Sequence, residues 1–165
     1  MEDATWDVQA GSQSLRLPIV PLSENFAICL LMTIDEPIAT MQQCSVELAA
    51  KLPAGIEAVA SAATLGIPIG AGVATALGLP RQYVLQKTKK KHLEDALLEP
   101  LESLTTQGDQ FLRLDRRWMG HLSGKKVAFV DDVISSGGSC SAALKLLRAA
   151  GADVVAVGVV LAEGN

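Results

Sequence analysis

The sequence predicts an α/β fold in which a central parallel sheet is flanked by helices on both faces. The chain has 165 residues, of which 49% are hydrophobic but only 4% aromatic. Its core must therefore be built from Ala, Val, Leu and Ile, which suits a parallel sheet covered on both faces. Residues 127–130 (VAFV) form an apolar run without alternation, as expected of a buried strand. An amphipathic pattern over 139–150 and a second apolar run over 154–161 follow, and together these predict a β-α-β unit.

The segments before residue 90 fit the same layered plan. Residues 14–22 (SLRLPIVPL) alternate in polarity, and their two prolines place them on a sheet edge or in a small appended element. In chain order, the patterns that follow predict a buried strand over 26–34, a helix from Pro37 to before Pro53, a strand over 56–60, a helix over 67–77 and a strand over 82–86. Strands alternating with helices predict a Rossmann-like sheet.

The next segment differs in character. Residues 87–99 (KTKKKHLEDALLE) are the most charged part of the chain. Two strand-like runs, 102–106 and 110–114, flank Gln107-Gly108-Asp109, which predicts a β-hairpin. Because polar loops with few apolar anchors have low local stability, we expect residues 87–110 to form a flexible loop.

Composition and charge exclude several classes of function. The net charge is −4, which argues against DNA as a partner, since binding phosphate backbones needs a basic surface. Three widely spaced cysteines have no zinc-ligand or disulfide spacing and favour a reducing, cytoplasmic compartment. The acidic, polar N-terminal residues do not form a signal peptide, and no apolar run reaches the length of a membrane span.

The segment after the predicted strand 127–130 carries the chemistry. A Gly/Ser loop at a helix N-terminus, here Ser135, Ser136, Gly137, Gly138 and Ser139, offers free N–H groups and hydroxyls to a phosphate. The preceding Asp131 and Asp132 would repel that phosphate, but they suit the hydroxyls of a sugar one ribose length away. A turn or an acidic pair alone is usually structural, whereas their order after a buried strand indicates a ribose 5-phosphate site.

At this point the sequence shows a family resemblance. VAFVDDVISSGGS resembles the signature with which type I phosphoribosyltransferases bind phosphoribosyl pyrophosphate (PRPP). SLTTQG and GADVVAVGVVLAEG look like the purine branch, and adenine phosphoribosyltransferase-like proteins are the most similar. The resemblance implies the type I phosphoribosyltransferase fold in a single domain over 1–165, with a small N-terminal hood over 1–35 and a mobile hairpin loop.

The resemblance also implies an activity. Members of this family transfer the phosphoribosyl group of PRPP to a base, here a purine with adenine first, and release pyrophosphate. Mg²⁺ enters with PRPP rather than through direct protein ligands, and a homodimer is expected. By motif match, Asp131 and Asp132 hold the ribose hydroxyls and stabilise an oxocarbenium-like transition state. The loop from Ser135 to Ser139 holds the 5′-phosphate.

The pyrophosphate site is where this chain departs from the family pattern. Relatives place an acidic residue followed by a basic or small one in the loop that aligns with Ala63, Thr64, Leu65 and Gly66. Here the two aligned positions are Ala63 and Leu65, so only backbone N–H groups can bind the anion there. Lys87 aligns with a family lysine that reaches pyrophosphate, and Lys90 lies in the loop expected to close. The neighbouring Lys89 and Lys91 fit a solvated loop equally well.

The sequence allows two interpretations both of the base site and of the activity. Phe26, Val133 and Ile134 are candidates to wall the base, although each would also fit a plain core position. The chain is expected to be a pentosyltransferase. The alternative is a PRPP-binding or nucleotide-binding regulatory protein that kept the phosphate loop but turns over weakly or not at all. Ala63 and Leu65 favour this alternative.

Overall fold

The computed structural model describes residues 4–24, 26–101 and 110–163. In chain order its strands and helices are β1 (Thr5–Ala10), β2 (Gln13–Ser23), β3 (Phe26–Cys29), α1 (Ile38–Lys51), β4 (Ala58–Ala62), α2 (Gly66–Ala76), β5 (Gln82–Leu85), β6 (Leu97–Pro100), β7 (Phe111–Leu114), α3 (Met119–Leu122), β8 (Lys126–Ile134), α4 (Gly138–Ala149) and β9 (Asp153–Ala162). None of the helices in these ranges is long and apolar enough to cross a membrane.

The central sheet has four parallel strands in the order β5-β4-β8-β9. Its middle is β4 and β8, and Val127–Val130 of β8 are fully buried, as an apolar run without alternation requires. The predicted α/β fold with a central parallel sheet is therefore confirmed. Since all four strands run in one direction, the loops that follow them emerge at one edge of the sheet.

Two hydrophobic clusters cover the two faces of this sheet. One contains buried residues of α1 and α2, among them Met41 and Val73, together with Leu15 and Leu17 of the N-terminal sheet. The other packs α4, through Leu146 and its neighbours, with the β6–β7 hairpin against Phe129. Helices therefore lie on both faces, and the predicted bounds of α1, α2 and α4 agree with the structure to within about two residues.

The N-terminal residues form a separate three-stranded antiparallel sheet, β1-β2-β3. This corresponds to the small appended element predicted from Pro18 and Pro21, although β2 is its middle strand rather than an edge. The prediction of a buried strand over 26–34 was wrong in extent. β3 ends at Cys29 and pairs with β2. Residues 30–37, which follow it, belong to no strand. A short apolar run does not by itself specify which strand it pairs with.

The predicted hairpin exists, but its first strand is a different segment. β7 pairs antiparallel with β6, so that Leu97 lies opposite Leu114 and Pro100 opposite Phe111. The predicted strand over 102–106 and the turn at 107–109 lie outside the described residues. The hairpin joins the end of β5 through a two-way backbone pair between Gln86 and Arg113.

Candidate functional site

Three loops meet at the carboxyl edge of the central sheet. β4 is followed by Ala63–Gly66, β5 by Gln86 and Lys87, and β8 by the loop from Ser135. β4 lies between β5 and β8, so the three loops are neighbours in space although they are far apart in sequence. All three of the phosphate, ribose and pyrophosphate segments predicted from the sequence thus lie at one edge, where parallel sheets bind ligands.

The phosphate loop turns at Gly137 and leads directly into α4. Gly137 has φ +80°, a left-handed conformation that glycine adopts without strain, and α4 begins at Gly138. The N-cap residue has no side chain to cap the helix, so the N–H groups of its first turn are available to a ligand. A small pocket lies over this turn, lined by Asp131, Val133, Ile134 and residues 135–140. The pocket combines the N–H groups of the helix end with serine hydroxyls, as an anion requires.

The acid pair lies beside this pocket at the end of β8. Asp131 is only 7% exposed, and Asp132 is half-buried and donates its backbone N–H to Asp131 Oδ1 at 3.1 Å. Burial, and then the neighbouring Asp132 carboxylate, raise the pKa of Asp131 to about 7, while the charge of Lys87 opposes this shift. Asp131 can therefore exchange a proton near neutral pH, either donating to or accepting from a sugar hydroxyl.

The loop after β4 contacts this acid directly. The Ala63 N–H donates to Leu85 O at 2.8 Å, the Ala63–Thr64 peptide is cis, and α2 begins at Gly66. A Cβ at Gly66 would lie 2.2 Å from Asp131 Oδ1, so only glycine allows this approach. Leu65 is the N-cap residue of α2 and its side chain has no polar atom, which leaves the backbone of this helix end to bind an anion.

The structure brings Lys87 to the site but does not show Lys90 there. Lys87 follows Gln86 at the end of β5, close enough for its charge to lower the pKa of Asp131. Its carbonyl accepts a hydrogen bond from Arg113 Nη1 at 2.5 Å, which ties this strand end to the hairpin. Lys90 is exposed before a short 3-10 turn, Lys91–Leu93, and makes no hydrogen bond or ion pair with the other candidate site residues that the structure describes.

The three candidates for the base site differ in their surroundings. Ile134 and Val133 are half-buried and both line the pocket over the phosphate loop. Val133 also packs against the core cluster on the α1–α2 face, as the plain core interpretation expects. Phe26 begins β3, and its side chain lies outside what the structure describes.

Sequence reasoning missed two residues whose side chains hydrogen-bond to the backbone of the site loops. Thr33 donates its hydroxyl to Leu65 O at 2.5 Å, and Arg113 donates to Lys87 O. Neither side chain belongs to a motif, and both act on backbone carbonyls from distant segments. No local sequence pattern could have indicated these contacts.

Comparison with known proteins identifies the family. The family model described as the phosphoribosyl transferase domain matches residues 40–165. The chain belongs to the phosphoribosyl transferase domain family. The match begins within α1 and includes the three loops of the site. It does not extend to the N-terminal sheet.

Two relatives of this chain are named for different bases. The chain is 29% identical to a hypoxanthine/guanine phosphoribosyltransferase of Methanococcus voltae over 70% of its own length and 57% of the relative's. It is 34% identical to an orotate phosphoribosyltransferase of Staphylococcus saprophyticus over 66% of its own length and 44% of the relative's. The chain thus spans about half the length of these relatives.

Similar solved structures include adenine phosphoribosyltransferases. The enzyme of Thermoanaerobacter pseudethanolicus superposes with a TM-score of 0.70 at 19% identity, covering 89% of this chain and 95% of that one. The enzyme of Saccharomyces cerevisiae, solved with adenine and an imino-altritol bisphosphate, also has a TM-score of 0.70, at 20% identity, covering 89% and 84%. At these identities the likeness establishes the type I phosphoribosyltransferase fold.

Proposed function

We propose that this protein transfers the 5-phosphoribosyl group of PRPP to a purine base, with adenine as the first candidate, and releases pyrophosphate. One observation carries the proposal. The N-terminus of α4, the acid pair Asp131–Asp132 and the N-terminus of α2 converge on one edge of the sheet, so that two anion-binding helix ends flank a pair of carboxylates. This arrangement matches a sugar that carries phosphate at one end and pyrophosphate at the other.

The acid pair has two roles in the proposed reaction. A base nitrogen forms its bond to ribose C1 as the bond from C1 to the pyrophosphate oxygen breaks and its electrons leave with pyrophosphate. Asp131 and Asp132 hold the ribose hydroxyls and so position C1 for attack. As positive charge develops on the ribose, it favours the ionised form of Asp131, which then stabilises that charge across a short, poorly solvated distance.

In the proposed reaction, backbone N–H groups and a lysine side chain bind the leaving pyrophosphate. The α2 end at Leu65 and Gly66 offers N–H groups, and Lys87 supplies a positive charge near Asp131. Lys90 would join only if its segment closes over the site. Closure would also exclude water, which would otherwise hydrolyse PRPP.

Magnesium would enter with PRPP. Within the described residues, no group of three or more His, Cys, Asp or Glu side chains could hold a metal ion alone. Mg²⁺ is commonly bound by substrate phosphates, so the pyrophosphate of PRPP would carry it into the site without direct protein ligands. When bound, it would neutralise charge on the pyrophosphate.

The choice of base rests on the comparisons. The similar solved structures are adenine phosphoribosyltransferases and several relatives in sequence act on hypoxanthine and guanine, so a purine is the shared expectation. One relative in sequence is an orotate enzyme, so pyrimidines belong in the test. Ile134 and Val133, which line the pocket over the phosphate loop, are the side chains we expect the base to contact.

The proposal also includes a cytoplasmic homodimer. Cys29, Cys44 and Cys140 are all free thiols in the structure, as a reducing compartment favours. The homodimer is inferred from the family resemblance.

A second candidate function is PRPP or nucleotide sensing without efficient turnover. Ala63 and Leu65 favour it, because the loop at the end of β4 offers no charged side chain to pyrophosphate, and Ala63 is buried. Both candidates need the same phosphate loop and acid pair. They differ only in whether nucleotide forms.

One assay separates the two. The protein is incubated with labelled PRPP, Mg²⁺ and adenine, hypoxanthine, guanine, xanthine, uracil or orotate in turn, and nucleotide is measured. We expect nucleotide with a purine, and with adenine most. Binding of PRPP with no product from any base would instead establish the sensor, and absence of PRPP binding would contradict both functions.

A further inference from the structure

We propose that Thr33 is a positioning residue for the pyrophosphate loop and that it acts by aiming the backbone N–H of Gly66. This inference rests on the proposed function and assigns a role to a residue outside the family motifs. Thr33 lies in the segment between β3 and α1, is only 3% exposed, and donates its hydroxyl to Leu65 O at 2.5 Å.

The geometry of one peptide unit explains how this contact reaches the ligand. The carbonyl of Leu65 and the N–H of Gly66 belong to the same planar peptide, in which they point in opposite directions. Holding the carbonyl towards Thr33 therefore holds the Gly66 N–H away from it. Gly66 packs against Asp131, so its N–H belongs to the helix end that faces the acid pair. A donor on the carbonyl also polarises the peptide and strengthens its N–H as a donor.

The other anchors of this loop come from the sheet and from the first turn of α2, where the Ile67 N–H donates to Thr64 O at 3.2 Å. Ala63 N–H donates to Leu85 O, and Gly66 packs against Asp131 at the end of β8. Among the residues that the structure describes, Thr33 is the one side chain that hydrogen-bonds to the backbone of residues 63–66. Thr33 thus adds a side-chain hydrogen bond from the N-terminal segment to the Leu65–Gly66 peptide, whose carbonyl lies at the start of α2.

Pyrophosphate binding by this loop depends on the tilt of the Leu65–Gly66 peptide more than it would in a loop with a charged side chain. Ala63 and Leu65 offer pyrophosphate no charged or polar side chain, so the backbone N–H groups and the exposed Thr64 hydroxyl are the donors that this loop has. A long cation can follow a shifted ligand, whereas an N–H must already point at it.

The test compares three variants by calorimetric titration in Mg²⁺. Thr33→Val replaces the hydroxyl with a methyl group of similar size, and Thr33→Ser restores the donor. Thr75→Val is the matched control, because Thr75 also donates its hydroxyl to a backbone carbonyl, Ala71 O at 2.9 Å, but at the far end of α2. The ligands are PRPP, pyrophosphate and ribose 5-phosphate, the last of which does not use the pyrophosphate loop.

We expect Thr33→Val to weaken PRPP and pyrophosphate binding by about tenfold, the effect of one well-placed hydrogen bond. Ribose 5-phosphate affinity should stay within about twofold, and Thr33→Ser and Thr75→Val should bind all three ligands as the wild type does. If Thr33→Val does not fold, Thr33→Ala is measured with the same ligands.

Three results would overturn the inference. Unchanged pyrophosphate affinity in Thr33→Val would show that the hydroxyl does not matter. An equal loss for ribose 5-phosphate, or no recovery in Thr33→Ser, would show a general loss of structure. Failure of the wild type to bind PRPP and ribose 5-phosphate would overturn the proposed function and this inference together, which distinguishes it from the first two results.

Discussion

At the scale of single residues, the site is built around a carboxyl group that is costly to bury. Asp131 is almost inaccessible to water, and Asp132 adds a second carboxyl next to it. Gly66 allows the neighbouring helix to approach so closely that a Cβ there would overlap the Asp131 carboxylate. Burial of an ionisable group without a compensating partner lowers stability, and such groups concentrate at functional sites.

Replacing Asp131 with asparagine should stabilise the ligand-free protein at alkaline pH. The folded-state pKa of about 7 exceeds the ordinary value of 3.8, so the folded protein binds more protons between these values. Stability should therefore fall as pH rises from about 4 to about 7 and level off above that. We expect Asp131→Asn to remove this slope and to gain on the order of 2 kcal/mol at pH 8, with little gain at pH 4. Urea denaturation at pH 4, 6 and 8 measures this.

The control for that experiment is Asp35→Asn, at an exposed aspartate in the turn before α1, which should follow the wild-type pH profile. The same Asp131→Asn protein should bind PRPP more weakly, because a ribose hydroxyl loses its charged acceptor. A variant that is less stable at every pH would contradict the idea that Asp131 is kept for binding at a cost in stability.

At the scale of elements, Glu47 connects the N-terminal sheet to the parallel-sheet unit through several hydrogen bonds. Glu47 on α1 accepts hydrogen bonds from the backbone N–H of Ser12 at 2.9 Å, from the Ser12 hydroxyl, and from Gln43 Nε2 at 2.8 Å. Gly11, at φ +62°, forms the turn between β1 and β2 that Glu47 contacts. Hydrogen bonds to Ser12 and Gln43 lower the pKa of Glu47 to about 2.

Glu47→Gln should loosen the β1–β2 turn at neutral pH. An amide has one acceptor oxygen where the carboxylate has two, so it cannot accept all three hydrogen bonds in the same geometry. Because the folded-state pKa is depressed, the contribution of Glu47 is present above about pH 4.5 and is lost as pH falls towards 2. At pH 7 we expect the Ser12 amide to exchange faster in the variant than in the wild type. Near pH 2, where Glu47 is protonated, the two proteins should exchange at similar rates.

The matched control is Glu57→Gln, since Glu57 also accepts from a backbone N–H, that of Lys126 at 3.0 Å, but where β4 and β8 begin. It should leave Ser12 exchange unchanged. Unaltered Ser12 protection in Glu47→Gln at pH 7 would mean that the turn is held by strand pairing alone.

At the scale of the whole molecule, the ligand site joins loops that follow three strands of one sheet. The sheet is covered by separate hydrophobic clusters on its two faces, and the candidate site lies at the carboxyl edge of its strands. A ligand that contacts all three loops therefore links β4, β5 and β8. Such a ligand stabilises the folded chain by an amount that grows with the logarithm of its concentration divided by its Kd, because the unfolded chain has no site.

PRPP with Mg²⁺ should raise the melting temperature of the wild type. At one hundred times its Kd, a ligand adds about 2.7 kcal/mol, which corresponds to roughly 5–10 °C for a domain of this size. Scanning fluorimetry against PRPP concentration measures the shift. The double variant Asp131→Asn, Asp132→Asn should lose most of the shift with PRPP but much less of the smaller shift with inorganic phosphate. Equal losses for both ligands would count against the ribose assignment.

Local chemistry made much of this protein predictable. The strand β8, the acid pair, the phosphate loop and the start of α4 are continuous in sequence, so their order alone indicates strand, turn and helix. The bounds of α1 and α2 followed from Pro37, Pro53 and Gly78, whose backbone preferences do not depend on distant residues. The most specific part of the family resemblance, VAFVDDVISSGGS, lies in the same continuous segment.

Contacts between distant segments could be decided only by the tertiary structure. The sequence did not show that β7 pairs with β6, that Gly66 packs against Asp131, or that Thr33 and Arg113 hold the backbone of the site. Pairing, close approach and the pKa of a buried acid depend on which surfaces meet in space. The sequence by itself therefore determined the fold class and the candidate residues for a phosphate and a ribose, while the folded chain decided how these residues are oriented, buried and charged.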